Sequence, residues 1–306
     1  MDHVFLQFIE YLQTKKYSLN SIQNHRLDLL RFKKWLEGDD DFSLPHLQKL
    51  TSEHIQAYAQ VLEESVKPRT VARHLSSLRL FFDYLEQQGL ISMSPLDLIK
   101  FPEIEYTPPE MLPPEEIVAL LEAPSLNHYL GLRDRALLEL SYSSGLKIKE
   151  LLNLDIEDLF LDLGFLKVRG KRERMVPVTS KAVEILTSYL DTARLPRLLN
   201  KNDACLFPNR NGVRMTRIGF WNMVKKHARR AGIQTNINPR MLRHSFAMHL
   251  IQSGMDLTSI KLLFGYVALD ATSQYAHVNA PDYFQSFHQF HPRGRHHVDK
   301  GIVLPQ

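Results

Sequence analysis

The side chains best placed to act on a substrate are cations. Residues 204–255 hold nine Lys or Arg and no Asp or Glu, and Lys167, Arg169, Lys171, Arg172 and Arg174 form a second group with only Glu173 among them. Fixed positive fields of this kind draw polyanions, and phosphate contacts supply most of the affinity of nucleic-acid-binding proteins. Other chemistries lack their residues. The chain has no phosphate-binding loop, no GxGxxG, no HExxH and no GxSxG motif. Its 14 His residues do not fall into metal-ligand spacing, and its one cysteine, Cys205, excludes a disulfide framework and a Cys-based zinc site. No metal or cofactor is expected. What remains for chemistry is a set of cations and one tyrosine.

These groups need a scaffold, and composition bounds it. With 306 residues, 44% of them hydrophobic and 24% charged, the chain has an ordinary globular make-up, and its length suits two domains. No run approaches 18 apolar residues and the N-terminus shows no secretory pattern, so no membrane contact is expected and reducing cytosol is the expected compartment. The net charge is only +4, but it is unevenly spread. Residues 1–106 carry 12 basic and 15 acidic side chains, and residues 107–306 carry 26 and 19.

The first hundred residues read as helices. Phe5, Phe8, Ile9 and Leu12 follow helical spacing. Ser18 caps a second helix with Ile22, Leu29, Phe32 and Leu36 inward and Gly38 as its stop. Thr70 is the expected cap of a third, with Val71, Leu75, Leu78, Phe82 and Leu85 on one stripe and Gly89 at its end. Its other side offers Arg69, Arg73 and Arg79 as phosphate contacts or as a solvated face. Phe101–Pro114 holds five prolines and no apolar stripe, which reads as an extended linker between a domain of residues 1–100 and a second of residues 115–295. Residues 296–306 form a tail.

In the second domain, Leu132, Leu137, Leu138 and Leu140 predict a buried helix stopping at Gly145. Residues 165–178 predict a hairpin with Lys171 near its tip. A helix comes next, around Lys181–Ala193. Thr216 caps a basic amphipathic helix with Trp221, Val224 and Ala228 expected inward and Arg217, Lys225, Lys226, Arg229 and Arg230 elsewhere. Such a helix is a candidate reader of a nucleic-acid groove or backbone. Asn238 and Pro239 open another helix, with Leu242, Phe246 and Leu250 inward and Gly254 at its end.

Over residues 3–293 the order of segments resembles a Xer-type tyrosine recombinase of the phage-integrase family. TVARHLSSLRLFFDYLEQQGLISMSPLDLIKFP is similar to the family's helical core-binding (SAM-like) domain, and GLRDRALLELSYSSGLKIKELLNL to the segment of its first catalytic arginine. RGKRERMVPV resembles the lysine hairpin, RIGFWNMVKKHARRAGI a DNA-contacting helix, and PRMLRHSFAMHLIQSGMDLTSIKLLFGY the HxxR segment with the stretch after it. ATSQYAHV resembles the nucleophile segment and FHQFHPRG the C-terminal helix that docks on a neighbouring subunit. The resemblance implies a mainly α protein with a small β-hairpin or sheet in its C-terminal domain, shaped as a two-domain, C-shaped DNA clamp. It implies a phenolate attack on a DNA phosphodiester, which stores the bond energy covalently and needs neither ATP nor metal.

By that resemblance Tyr275 is the nucleophile, Lys171 the general acid, Arg243 the second catalytic arginine and Glu150 a supporting acid. Arg69, Arg73, Arg79, Arg169, Arg172, Arg217, Lys225 and Lys226 are candidate DNA contacts. Three positions depart from the pattern. Lys147 stands where the first arginine is expected, keeping the charge but losing the bidentate fork. Arg240 replaces the histidine of HxxR and cannot accept a proton near neutrality. Tyr266 replaces a later histidine, and its phenol can still donate to phosphate. Two readings result: an active site-specific recombinase, or an impaired relative that binds DNA or works with a paralogous subunit. A relaxing topoisomerase of the same chemistry fits the N-terminal domain less well. The working assembly implied is a tetramer on double-stranded DNA, with Asp282–Pro292 exchanged between neighbours.

Overall fold

The computed structural model describes residues 3–36, 44–104, 110–170, 173–194, 204–265, 287 and 290–293. The chain divides into two compact units, Met1–Thr107 and Pro108–Gln306. The first is built from α1 (His3–Thr14), α2 (Leu19–Leu36), α3 (Leu44–Leu47), α4 (Ser52–Glu63) and α5 (Pro68–Gln87). The stripes read from periodicity become its core: Phe5, Phe8 and Leu12 meet Leu29, Phe32, Leu75, Leu78 and Phe82. The Ser18 hydroxyl accepts from the Ser21 N–H at 3.1 Å, as a cap should. The start of α5 differs from expectation. Lys67 is the N-cap and Pro68 opens the helix, because a residue without an N–H suits the first turn better than a Thr two residues later. Gly38 lies outside the described residues.

The second unit comprises α6 (Pro114–Glu122), α7 (Tyr129–Ser144), α8 (Ile148–Leu152), β1 (Leu159–Phe160), β2 (Phe165–Val168), β3 (Arg174–Pro177), α9 (Ser180–Tyr189), α10 (Arg217–Arg230), α11 (Pro239–Gln252) and α12 (Leu257–Phe264). A π-helical turn, Leu190–Arg194, continues α9. Strands β2 and β3 form the expected antiparallel hairpin with Val168 opposite Arg174, and β1 adds a third strand in the order β1-β2-β3. The two-residue β1 is too short for alternation to reveal. Among the described residues no helix is long and apolar enough to cross a membrane.

Helix α7 is the axis of this unit and is buried from Leu132 to Ser144 on every side. It therefore carries its charges inward, each with a partner, as burial requires. Arg133 binds Asp134 at 2.6 Å, and Asp134 binds His227 of α10 at 2.8 Å. Glu139, fully buried, binds Arg135 at 2.9 Å and Arg293 at 2.7 Å. The leucines of α7 forecast its burial; nothing in their spacing forecast these pairs.

Helix α10 corrects one expectation. Its buried stripe is Phe220, Met223, Val224, His227 and Ala228, whereas Trp221 is 40% exposed. Phe220 lies one residue, about 100° of helical turn, before Trp221, and it is Phe220 that completes the inward phase with Val224 and Ala228. The Thr216 cap holds, with its hydroxyl accepting from the Gly219 N–H at 3.1 Å.

Candidate active site

The segment from Gly145 to Glu150 sets one wall. Helix α7 ends at Gly145, whose φ of 56° is left-handed, and the chain turns through buried Leu146 to Lys147, the N-cap of α8. The Lys147 N–H donates to Glu150 Oε2 at 2.9 Å. Glu150 is gripped on its other side by Arg174 of the hairpin, Nη1 to Oε1 at 3.2 Å and Nη2 to Oε2 at 3.1 Å. Arg174 Nε also donates to the Leu263 carbonyl of α12 at 2.9 Å. One side chain thus joins hairpin, α8 and α12.

Helix α11 supplies the facing wall. The Asn238 side chain accepts from the N–H groups of Arg240 and Met241, which fixes the first turn, and Arg243 lies one turn later. The Arg243 guanidinium donates through Nη1 to the Gly145 carbonyl and through Nη2 to the Phe264 carbonyl at 3.5 Å, and it lies 3.6 Å over the Phe264 ring. Both carbonyls belong to helix C-termini, where the partial negative charge of the helix favours a cation.

Between these walls lies a cleft of about 420 Å³ lined by Lys147, Lys149, Arg217, Arg240, Arg243 and His244, with Leu146 and Ile148 at its apolar side. Among the described lining residues there is no carboxylate. His244 is half-buried, and burial, then the charges of Arg243 and Arg240, push its pKa down, which keeps the imidazole neutral at physiological pH. Burial alone would push Glu150 up, but its hydrogen bonds from Arg174 and the Lys147 N–H outweigh this and hold the carboxyl below its usual range.

A carboxylate whose pKa is lower folded than unfolded adds stability above the unfolded value near 4.5, and that stability is lost as pH falls through the folded value. Glu150→Gln is therefore expected to be about 1–3 kcal/mol less stable than wild type at pH 7, the worth of charge-assisted hydrogen bonds. The gap should close on acidification below the unfolded value, as the folded wild-type carboxyl takes up its proton. Urea unfolding at a series of pH values reads this, and a gap independent of pH would show that Glu150 acts as an uncharged spacer.

The cleft gathers Lys147, Arg240 and Arg243, and adds Arg217 from the start of α10. Tyr275, Lys171, Arg172 and Tyr266 lie outside the described residues. Other candidates have internal work. Arg169 binds Asp158 at 2.5 Å and Asp155 at 3.1 Å. Three carboxylates of the 155–158 turn face it, and about half of its side chain stays exposed. Arg79 donates to the Leu96 carbonyl at 3.1 Å and rests over Phe101, so it ties the end of the first unit together and is no solvated face. Arg73 pairs with buried Asp28, while Arg69 is exposed. Lys225 sits 3.7 Å over the ring of Trp221, and Lys226 is exposed. Lys149 and His244 are not among the candidates that the sequence offers, and Arg174 enters there only as a member of the second cationic group. His244 adjoins Arg243 within the acid-free stretch, and that adjacency is the available signal; Arg174 needs the strand register.

Residues 110–281 match the model of the phage integrase family, and residues 5–89 match that of the phage integrase N-terminal SAM-like domain. The chain is 38% identical over 299 residues to the tyrosine recombinase XerD of Pseudomonas putida, covering 96% of this chain and 99% of the relative. It is 33% identical over 297 residues to XerD of Staphylococcus epidermidis, covering 96% and 100%. Its fold is that of the XerH site-specific recombinase bound to palindromic difH substrate, with a TM-score of 0.72 at 24% identity over 86% of this chain and 78% of that one. A lambda integrase dimer bound to a COC′ core site gives 0.70 at 14% identity over 92% and 97%. The chain belongs to the phage integrase family, among its Xer-type tyrosine recombinases, and its activity is site-specific recombination.

Proposed function

We propose that the chain cuts and rejoins duplex DNA through a covalent 3′-phosphotyrosyl bond on Tyr275, with the scissile phosphate held by Lys147, Arg240 and Arg243. The observation that carries this reading is the convergence of those three cations, from segments far apart in sequence, on one cleft without a lining carboxylate among the described residues. The phenol of Tyr275 gives its proton to solvent, its oxygen bonds to phosphorus, and the bond to the 5′ oxygen breaks as that oxygen takes a proton from Lys171. Cations fixed around the phosphate stabilise the charge that builds on its non-bridging oxygens. The XerH and lambda integrase structures, each bound to its DNA site, support duplex DNA as the partner.

Arg240 favours a second reading. A guanidinium at the place of the HxxR histidine holds phosphate and takes no proton, which suits a slow enzyme or a partner-dependent DNA-binding subunit. The two are separated by incubating the protein with fragmented genomic DNA of its own organism, denaturing, and sequencing attached DNA. Adducts from wild type that vanish in Tyr275→Phe support the enzyme. Adducts only from Lys147→Arg/Arg240→His support the impaired subunit, and none from either protein sinks the covalent mechanism.

Assembly as a tetramer, with or without a paralogue, belongs to the same proposal. In the single chain Phe287, His291 and Arg293 pack on their own unit, with Phe287 and His291 fully buried. Exchange of this segment with a neighbour would take Arg293 from Glu139 and offer it to the neighbour's equivalent carboxylate.

A further inference from the structure

We propose that Ile218 and Trp221 form a base-reading shelf that takes the C5-methyl group of a thymine in the major groove of duplex DNA, beside the phosphate held in the cationic cleft. The proposal rests on the DNA-bound reading above and adds a specificity determinant to it.

Ile218 is 69% exposed and Trp221 40% exposed on the outer face of α10, a helix whose inward stripe is already complete without them. Lys225 lies on the indole at 3.7 Å, so the ring is oriented by a cation and presents its remaining surface outward. These two side chains line an open cavity of about 820 Å³. That cavity shares Ile148, Arg217 and Arg240 with the phosphate cleft, so the shelf and the cleft are contiguous.

The charge around the shelf commits it to a polyanion. Arg217, Lys226, Arg229 and Arg230 are exposed on the same helix, and residues 204–255 contain no acid. A protein partner covering an apolar shelf would meet this field as well and would need matching carboxylates. Duplex DNA answers the charge by itself. The major groove admits a helix, and the apolar group that a base pair presents there is the thymine methyl. Ile218 has no ring with which to stack on a base, so a methyl contact is the recognition it can give. The phosphate cations fix the register of the duplex; the shelf makes that register depend on sequence.

The test is selection from a random-duplex library by the full-length protein, then sequencing. Wild type is expected to enrich thymine by about three- to tenfold at one or two adjacent positions of its motif, the worth of a methyl group removed from water. Ile218→Ala, Trp221→Ala and the double variant should flatten those positions and leave the rest of the motif intact. A second library made with deoxyuridine in place of thymidine should lose the same preference with wild type. A motif retained by wild type whose thymine positions survive in the double variant overturns the shelf alone. Preference that survives deoxyuridine yet falls with Trp221→Ala overturns the methyl contact in favour of stacking. Failure of wild type to enrich any motif would overturn sequence reading by this helix, while the covalent adducts on genomic DNA decide the DNA-bound reading separately. Thermal unfolding of the variants near that of wild type, as exposed positions should give, shows that the loss is one of recognition.

Discussion

Arg243→Ala is expected to slow formation of the covalent DNA adduct by about 10³-fold or more, because a single preorganised donor at an oxyanion is worth about 10²–10³ and this side chain offers a fork of donors. Its guanidinium is braced before any substrate arrives, by the Gly145 and Phe264 carbonyls and by the Phe264 ring. The reorganisation cost at the moment of reaction is therefore small. Affinity should fall much less than rate, since Lys147, Lys149, Arg217 and Arg240 still line the cleft. Arg243→Lys should recover little, because an ammonium cannot reach two carbonyls and a phosphate in one plane. Single-turnover trapping on a sequence recovered from the genomic adducts reads the rate, and a gel shift on the same duplex reads affinity. An adduct rate within tenfold of wild type would remove Arg243 from the phosphate. Equal losses in rate and affinity would make it a binding residue only.

Much of this architecture can be read from the chain, and the reasons are local. The stripe Val71, Leu75, Leu78, Phe82 and Leu85 repeats with a helical period, and every member is buried. The hairpin is legible because two β-prone runs flank a glycine-containing polar turn, and its register pairs Val168 with Arg174. Lys147, Arg240 and Arg243 are legible as a set only through their order in the chain, since no periodicity brings α8 and α11 together. What the chain conceals depends on three-dimensional neighbours. Arg174 looks like one more cation of a basic turn until the hairpin folds it against Glu150 and the end of α12. Arg169, from the same cluster, meets Asp155 and Asp158 and does not line the cleft itself. Alike in sequence, the two differ because strand pairing points them at different partners. Trp221 shows the reverse error, for its size suggests the interior while the phase of α10 gives that place to Phe220.

Gly145→Ala is expected to destabilise the second unit by about 2–5 kcal/mol, the sum of a left-handed backbone for a residue with a Cβ and an overpacked core. The backbone part comes from φ of 56°. The packing part is specific to this position. A Cβ here would lie 2.3 and 2.5 Å from two atoms of the Phe246 ring and 2.9 Å from Phe264. Those two rings are stacked with centroids 5.9 Å apart, and both are buried, so neither can retreat without opening the core. Gly232→Ala is the control within the same unit. Its φ is 71° and a Cβ there meets nothing within 4 Å, so it should cost only the backbone part, about 1–2 kcal/mol. Urea unfolding of both variants reads the difference, and equal losses would show that the rings yield. The consequence for chemistry is separate. The Gly145 carbonyl braces Arg243, and two residues later Lys147 enters the same cleft, so a shift at Gly145 displaces two phosphate cations at once. Adduct formation by the folded fraction of Gly145→Ala should therefore fall at least about tenfold, since misplacement by about 1 Å can cost about 10²-fold. In Gly232→Ala it should stay near wild type. A folded Gly145→Ala protein that reacts at the wild-type rate would mean that Arg243 keeps its aim without that carbonyl.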